Sequence, residues 1–186
     1  MKQTINDMIN NNQIKYNDLE IISFVGVIGA GKSFRTEKLI EEGFYPIAFG
    51  DALRDMAFKL LSWKPLNDEQ YEEFKKGNRY IDSHSGFING RLFLQTLGET
   101  MREENKNYWV DKLKQRIDLL YRLGYTKIVV TDIRHENELE LVKSYKNSKV
   151  IFCDYKSERY DCENKHISEK LAQEYKMKGY VDGQEI

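Results

Sequence analysis

Gly26-Val27-Ile28-Gly29-Ala30-Gly31-Lys32-Ser33 satisfies the G-x-x-x-x-G-K-[ST] pattern of phosphate-binding loops at every fixed position, between a run of β-formers and a helical pattern. Glycines let a backbone wrap so tightly that successive N–H groups point inward at an anion. Lys32 supplies a mobile positive charge for terminal phosphates, and the Ser33 hydroxyl is placed to ligate magnesium. The helix that follows adds the positive end of its dipole. Gly29, Ala30, Gly31, Lys32, Ser33 and Phe34 are therefore the candidate residues for ATP, with Lys32 catalytic and Ser33 a ligand of Mg2+. The plain alternative is a glycine-rich turn that binds nothing. A chance match to four fixed positions arises in roughly one sequence of this size in a hundred, and the flanking strand and helix lower those odds.

Outward from the loop, strands and helices alternate. Residues 20–25 form an apolar run with the pattern of a buried strand, and 32–42 read as a helix that Gly43 ends. Residues 45–49 read as a second strand, and 51–61 as a helix with Leu53, Met56, Ala57 and Leu60 on one face. The stretch 62–89 is polar around a helix at 68–76. Two helices follow at 90–104 and 108–123, Gly124 closing the second. Then come a strand at 127–131, a helix at 136–145, a strand at 149–155, a helix at 168–177 and a short tail. Such alternation requires a parallel sheet covered on both faces: an α/β, three-layer α/β/α fold of the P-loop NTPase class, with ligands at the carboxyl ends of the strands. Residues 1–16 read as a short amphipathic helix with Ile5, Met8 and Ile9 on one side and no recognisable chemistry.

The 186 residues suit one domain, with 1–19 as a helical extension, 62–89 as a substrate-side insertion and 156–170 as a lid-like segment. A composition of 40% hydrophobic and 32% charged residues is that of a soluble globular protein. The net charge of −1 lacks the basic excess that displaces counterions from a polynucleotide, so polymeric nucleic acid is not an expected partner. The longest uncharged apolar stretch, residues 21–31, is too short to cross a bilayer, and residues 1–20 have no signal-peptide core. The expected location is cytoplasmic. Cys153 and Cys162 read as reduced thiols, and His84, His135 and His166 show no metal-ligand spacing.

In Lys127-Ile128-Val129-Val130-Thr131-Asp132 an apolar strand ends in a carboxylate. An acid at this place in P-loop enzymes holds the magnesium, directly or through water, although Asp132 could also simply cap Ile133 onward. Arg134 and Glu138, four apart, share a face if the turn is helical; Arg134 would grip an anionic substrate with Glu138 orienting it, or the two form a surface ion pair.

Five segments occur in order along the chain: the loop itself; Phe49-Gly50-Asp51-Ala52-Leu53; Gly90-Arg91-Leu92-Phe93-Leu94-Gln95-Thr96-Leu97-Gly98 with Tyr108-Trp109-Val110; Thr131-Asp132-Ile133-Arg134 with Glu138; and His166-Ile167-Ser168-Glu169. In this combination the chain resembles the deoxynucleoside monophosphate kinases of tailed bacteriophages, distant relatives of adenylate kinase, over most of residues 24–169. Adenylate kinases in general lack the combination of Arg-Leu-x-x-Gln-x-Leu-Gly, a following Trp-Val, and Asp-x-Arg before an acidic helix.

The resemblance implies transfer of the γ-phosphoryl group of ATP to a deoxynucleoside monophosphate, giving a dNDP and ADP. It implies that Gly50 and Asp51, with Arg54 as a further candidate beside them, face the monophosphate; that Arg91 binds the acceptor phosphate; and that Gln95 lies near base or sugar, with Trp109 lining the pocket. Asp132, Arg134 and Glu138 match the substrate-side set, and His166 and Arg159 fall near the lid, Arg159 as a contact of the transferred group. On general grounds Arg91 and Gln95 could be a solvated helix face and Trp109 a core aromatic. The middle section is short for the family. The chain shows no Asn-containing turn on the adenine side. A homodimer is open to such an enzyme, and a phage-encoded one would act in the host cytoplasm.

Two other readings stand beside this one. A P-loop kinase for another small phosphorylated acceptor, of the phosphomevalonate or dephospho-coenzyme A type, would share the loop. A non-catalytic nucleotide switch would need Asp-x-x-Gly and Asn/Thr-Lys-x-Asp, whereas Asp132 is followed by Ile133-Arg134-His135 and Asn164-Lys165 by His166-Ile167.

Overall fold

The computed structural model describes residues 15–26, 29–77, 89–154 and 167–186, the backbone alone for 167–169. Its elements are β1 (Glu20–Gly26), α1 (Lys32–Glu41), β2 (Tyr45–Ile47), α2 (Phe49–Leu60), α3 (Asp68–Lys75), α4 (Gly90–Glu104), α5 (Tyr108–Arg122), β3 (Lys127–Val130), α6 (Glu136–Lys143), β4 (Asn147–Cys153) and α7 (Ile167–Met177). The strands form one parallel sheet in the order β2-β3-β1-β4, with Ile21 level with Ile128 and Ser148, and Tyr45 level with Ile128.

The period-2 alternation of side chains along each strand divides the apolar residues between two faces. Ile21, Val25, Ile128, Val130 and Val150 join one cluster with Leu113, Ile117 and Leu120 of α5 and Leu139 and Val142 of α6. Ile22, Phe24, Val129 and Cys153 join another with Ala30, Phe44 and Leu39 of α1. Both faces are thus covered, as the unbroken apolar strands require. Each Ile or Val closed off completely contributes roughly 1.5–3 kcal/mol. A third cluster, Ala57, Phe58, Leu61, Phe74 and Leu94, joins α2, α3 and α4 away from the sheet. Hydroxyl bonds from Tyr16 to Asp118 and from Tyr121 to Asp18 tie the segment before β1 to α5.

Element boundaries among the described residues fall within two residues of expectation, and the two-residue differences at α2 and the last strand have identifiable causes. The second strand ends at Ile47, and α2 starts at Phe49 rather than at residue 51. Asp51 accepts the Ala48 N–H at 2.8 Å, and Asp132, distant in sequence, accepts the amides of Phe49 and Gly50, so the helix begins earlier than local preference indicates. The last strand starts at Asn147, drawn in by β1, whose Glu20 lies level with it. The tail runs antiparallel along β4: Gly183 N–H donates to the Phe152 carbonyl (2.8 Å), Phe152 N–H to Gln184 (2.9 Å) and Ile186 N–H to Val150 (2.8 Å). It supplies the outer edge of the sheet. Most of the expected N-terminal helix, residues 78–88 of the insertion and 156–166 of the lid-like segment lie outside the described residues. No helix among the described residues is long and apolar enough to cross a membrane.

Candidate functional site

Gly26, the last residue of β1, lies level with Cys153 of β4. A Cβ there would lie far inside van der Waals contact with the Cys153 carbonyl oxygen, so only glycine fits. Gly29 (φ 81°) and Gly31 (φ 73°) are left-handed, the geometry by which a loop turns its amides inward. Val27 and Ile28 lie outside the described residues.

Gly31 is also the N-cap of α1. A glycine offers no capping side chain and the first turn of the helix holds no acid, so no carboxylate of its own competes for the positive end of the dipole. Lys32 folds over the loop, its Nζ donating to the Gly26 carbonyl at 2.6 Å. Ala30 is buried with Ile22, Phe24 and Val129, so its side chain seats the loop on the sheet. Ser33 and Phe34 are exposed, and Lys38 Nζ stands 4.5 Å from the Phe34 ring centroid. Left-handed glycines, an uncapped helix and a lysine fit the phosphates of a nucleotide.

At the tip of the neighbouring β3, Asp132 accepts the Phe49 N–H through Oδ1 at 2.6 Å and the Gly50 N–H through Oδ2 at 2.9 Å. It does cap a helix, but the one beginning across the sheet at Phe49 rather than the turn that follows Asp132. Burial pushes its carboxyl above the ordinary value, opposed by the two amides and by Arg134. A Cβ on Gly50 would lie 3.1 Å from Asp132 Oδ2 and 3.3 Å from Arg54 Nη1, so the Arg54 guanidinium, the Asp132 carboxylate and the start of α2 converge there. Asp51 pairs with Arg54 one helical turn away. Among the described residues no three or more His, Cys, Asp or Glu cluster as metal ligands. Each Asp132 oxygen accepts one amide and retains a lone pair, which suits the water-mediated form of a magnesium contact.

The orienting role expected of Glu138 toward the Arg134 side chain is corrected. Glu138 is 2% exposed, too buried to meet a substrate. Its Oε2 accepts the backbone N–H of Arg134 (2.8 Å) and of His135 (3.2 Å), fixing the first turn of α6. Its Oε1 faces Arg102 Nη2 at 3.4 Å. Burial raises the Glu138 pKa, with the two amides and Arg102 opposing. The Arg134 side chain is exposed, and Glu138 places its backbone rather than its guanidinium.

Trp109, expected to line the pocket, is 2% exposed and donates its indole N–H to the Gly98 carbonyl at 3.1 Å. It is a core aromatic that pins α5 to α4, because a buried indole needs an acceptor and the Gly98 carbonyl supplies one. Arg91 and Gln95 are exposed on α4 one turn apart, with Arg91 in electrostatic reach of Glu72 of α3. Their helix starts at the buried Gly90, where any Cβ would collide with Phe74. Arg159 and His166 lie outside the described residues.

Two arginines were underrated. Arg54 carried a sequence signal in Asp51-x-x-Arg54 just past a strand tip, a spacing that puts both on one helix face. Arg102 carried none, since its partner Glu138 is remote in sequence.

A family model described as deoxynucleotide monophosphate kinase matches residues 51–175. The match spans about two thirds of the chain and includes Asp51, Arg54, Arg91, Asp132 and Arg134. The phosphate loop lies outside it, so loop and match are independent observations. A search of curated proteins finds no match.

Proposed function

Because the chain belongs to the deoxynucleotide monophosphate kinase family, we propose that it transfers the γ-phosphoryl group of ATP to a deoxynucleoside monophosphate, giving a dNDP and ADP. Membership makes it a phosphotransferase acting on a nucleoside monophosphate. The donor is inferred from the loop. The observation that carries this is the juxtaposition of two anion-seeking groups at adjacent strand tips: the uncapped α1 with Lys32 after β1, and Arg54 beside Gly50 and Asp132 after β3.

The acceptor oxygen of a monophosphate is already anionic at neutral pH, so no general base is needed. The work is positioning and charge neutralisation. Loop amides and the α1 N-terminus would hold the donor's phosphates, and Lys32, exchanging the Gly26 carbonyl for a phosphate oxygen, would offset charge on the group in transfer. Arg54, Arg91 and Arg134 are the candidates for gripping the acceptor phosphate, and Arg159 for contacting the transferred group. Bound Mg2+ supplies further neutralisation of the donor phosphates; Ser33 and, through water, Asp132 are the residues that would hold it. Asp132 meanwhile keeps Gly50 and Asp51 at the substrate side by holding the start of α2.

Incubation with ATP, Mg2+ and each deoxynucleoside monophosphate in turn is expected to yield ADP and the matching diphosphate. Absence of turnover with all of them sinks this reading, and a screen of other phosphorylated acceptors then separates a kinase of different specificity from a nucleotide-binding protein without transfer.

A further inference from the structure

Tyr71 of α3 lies against Arg54. The Arg54 Cζ is 5.9 Å from the Tyr71 ring centroid, and Lys75 Nζ is 4.6 Å from the same centroid. The ring is itself fixed: it packs with Ala57, Phe58, Phe74 and Leu94, edge-on to Phe58 at 6.1 Å and 87°. Arg54 is thereby held on two sides, by the Asp51 carboxylate and by the Tyr71 side chain, with Nη1 beside Gly50. Burial works against the charge of Arg54, and Asp51 and the Tyr71 hydroxyl more than offset it. Lys75, bridged to Glu72, brings a second cation to the same aromatic surface.

We propose that Tyr71 is a positioning residue for the acceptor phosphate: its ring orients the Arg54 guanidinium toward Gly50 and Asp132, so that the placement of α3 sets how the arginine meets the substrate. This rests on the reading of the chain as a kinase of deoxynucleoside monophosphates with Arg54 at the acceptor phosphate. The physical logic is preorganisation. A flexible arginine loses rotamer entropy when it binds phosphate; one already held between a carboxylate and a fixed aromatic side chain loses less. Tyr71 never needs to touch the substrate, and its effect appears in the acceptor's KM rather than in the chemistry or the donor site.

The test is a double-mutant cycle of Tyr71→Leu and Arg54→Ala, with Tyr71→Phe as the conservative variant. Tyr71→Leu is expected to raise KM for the monophosphate roughly three- to tenfold, the range of a partly buried cation–π contact, with KM for ATP and kcat within about twofold of wild type. Tyr71→Phe, which keeps the ring and drops the hydroxyl, should restore the part of that loss that the ring carries, and no rescue at all would overturn the role of the ring. In the Arg54→Ala background Tyr71→Leu should add nothing. Multiplicative effects, equal losses in both substrates, or an Arg54→Ala enzyme with unchanged acceptor KM would each overturn the proposal. If Tyr71→Leu does not fold, Tyr71→Met takes its place in the cycle. A separate readout needs no turnover: the Arg54 Nε–Hε NMR resonance, assigned by its loss in Arg54→Lys, should shift in Tyr71→Leu or Tyr71→Met, and an unmoved resonance overturns the contact. A wild-type protein inactive on every deoxynucleoside monophosphate overturns the functional reading by itself, and with it the substrate role of Tyr71, while the resonance still decides whether the ring orients Arg54.

Discussion

Asp132 Oδ2 accepts the Gly50 N–H at 2.9 Å across 82 residues of sequence, so the tip of β3 and the first turn of α2 share one carboxylate. The other oxygen takes the Phe49 N–H, and two helix-start amides that would otherwise lack a partner are satisfied together.

Asp132→Ala should therefore cost stability as well as activity. Loss of a cap with two amides corresponds to about 1–2 kcal/mol, visible as a lower denaturation midpoint. Asp132→Asn keeps one acceptor and should fall between the two proteins. Unaltered midpoints in both variants would show that the bonds do not stabilise α2.

Gly26→Ala tests the close approach of β1 and β4. A methyl group cannot fit against the Cys153 carbonyl without parting the strands, so a loss of about 3 kcal/mol is expected, at the upper end for overpacking. Gly31→Ala meets no atom of the described residues within 4 Å, and its φ of 73° resists the change at about 1 kcal/mol. Chemical denaturation of the two variants should rank them in that order.

Lys32→Ala removes a side chain that donates to the Gly26 carbonyl at the half-open loop, so the thermal midpoint should stay near wild type while kcat falls about a thousandfold. Arg91→Ala, by contrast, should raise the KM of the monophosphate and leave that of ATP alone. Steady-state kinetics with each substrate varied separates the two, and a fully active Lys32→Ala protein would refute the loop assignment.

Glu138 supplies a pH signature. Burial holds its carboxyl above its ordinary value, so the folded state binds the proton more tightly than the unfolded chain. Its contribution to stability therefore falls as pH rises from the ordinary glutamate range through the raised folded value, and is flat above that. In Glu138→Gln the dependence vanishes. Comparing midpoints from about pH 4.5 to 7, wild type should gain on Glu138→Gln as the pH falls. A constant difference would mean that Glu138 keeps an ordinary pKa. Arg102→Met strips the buried carboxylate of its facing cation and should sharpen the same dependence.

Much of the architecture was legible without coordinates. Strand-like runs at Ile21–Val25 and Ile128–Val130 are apolar on both faces because both are covered, and that is visible along the chain. The bounds of α4, Gly90–Glu104, agree with expectation because Asn89 caps it, its side chain accepting the Leu92 N–H at 3.0 Å, and a cap is a local device. Trp109 and Glu138 were not legible in this way. An aromatic or acidic residue on an amphipathic helix carries no mark of whether it faces a ligand or the core, and both turned inward.

Within the chain, whatever depends on neighbours in sequence was already decided: the glycine spacing that permits left-handed φ at Gly29 and Gly31, the lysine that follows, and the alternation that demands a parallel sheet. The tertiary structure alone decided that Asp132 caps α2, that Glu138 faces Arg102, that Trp109 reaches Gly98 and that the tail edges β4. The division has one physical cause. Backbone conformation and hydrophobic period are set over a few residues, whereas a buried carboxylate or indole must find its hydrogen-bond partner wherever the folded chain brings one, and that distance is measured through space.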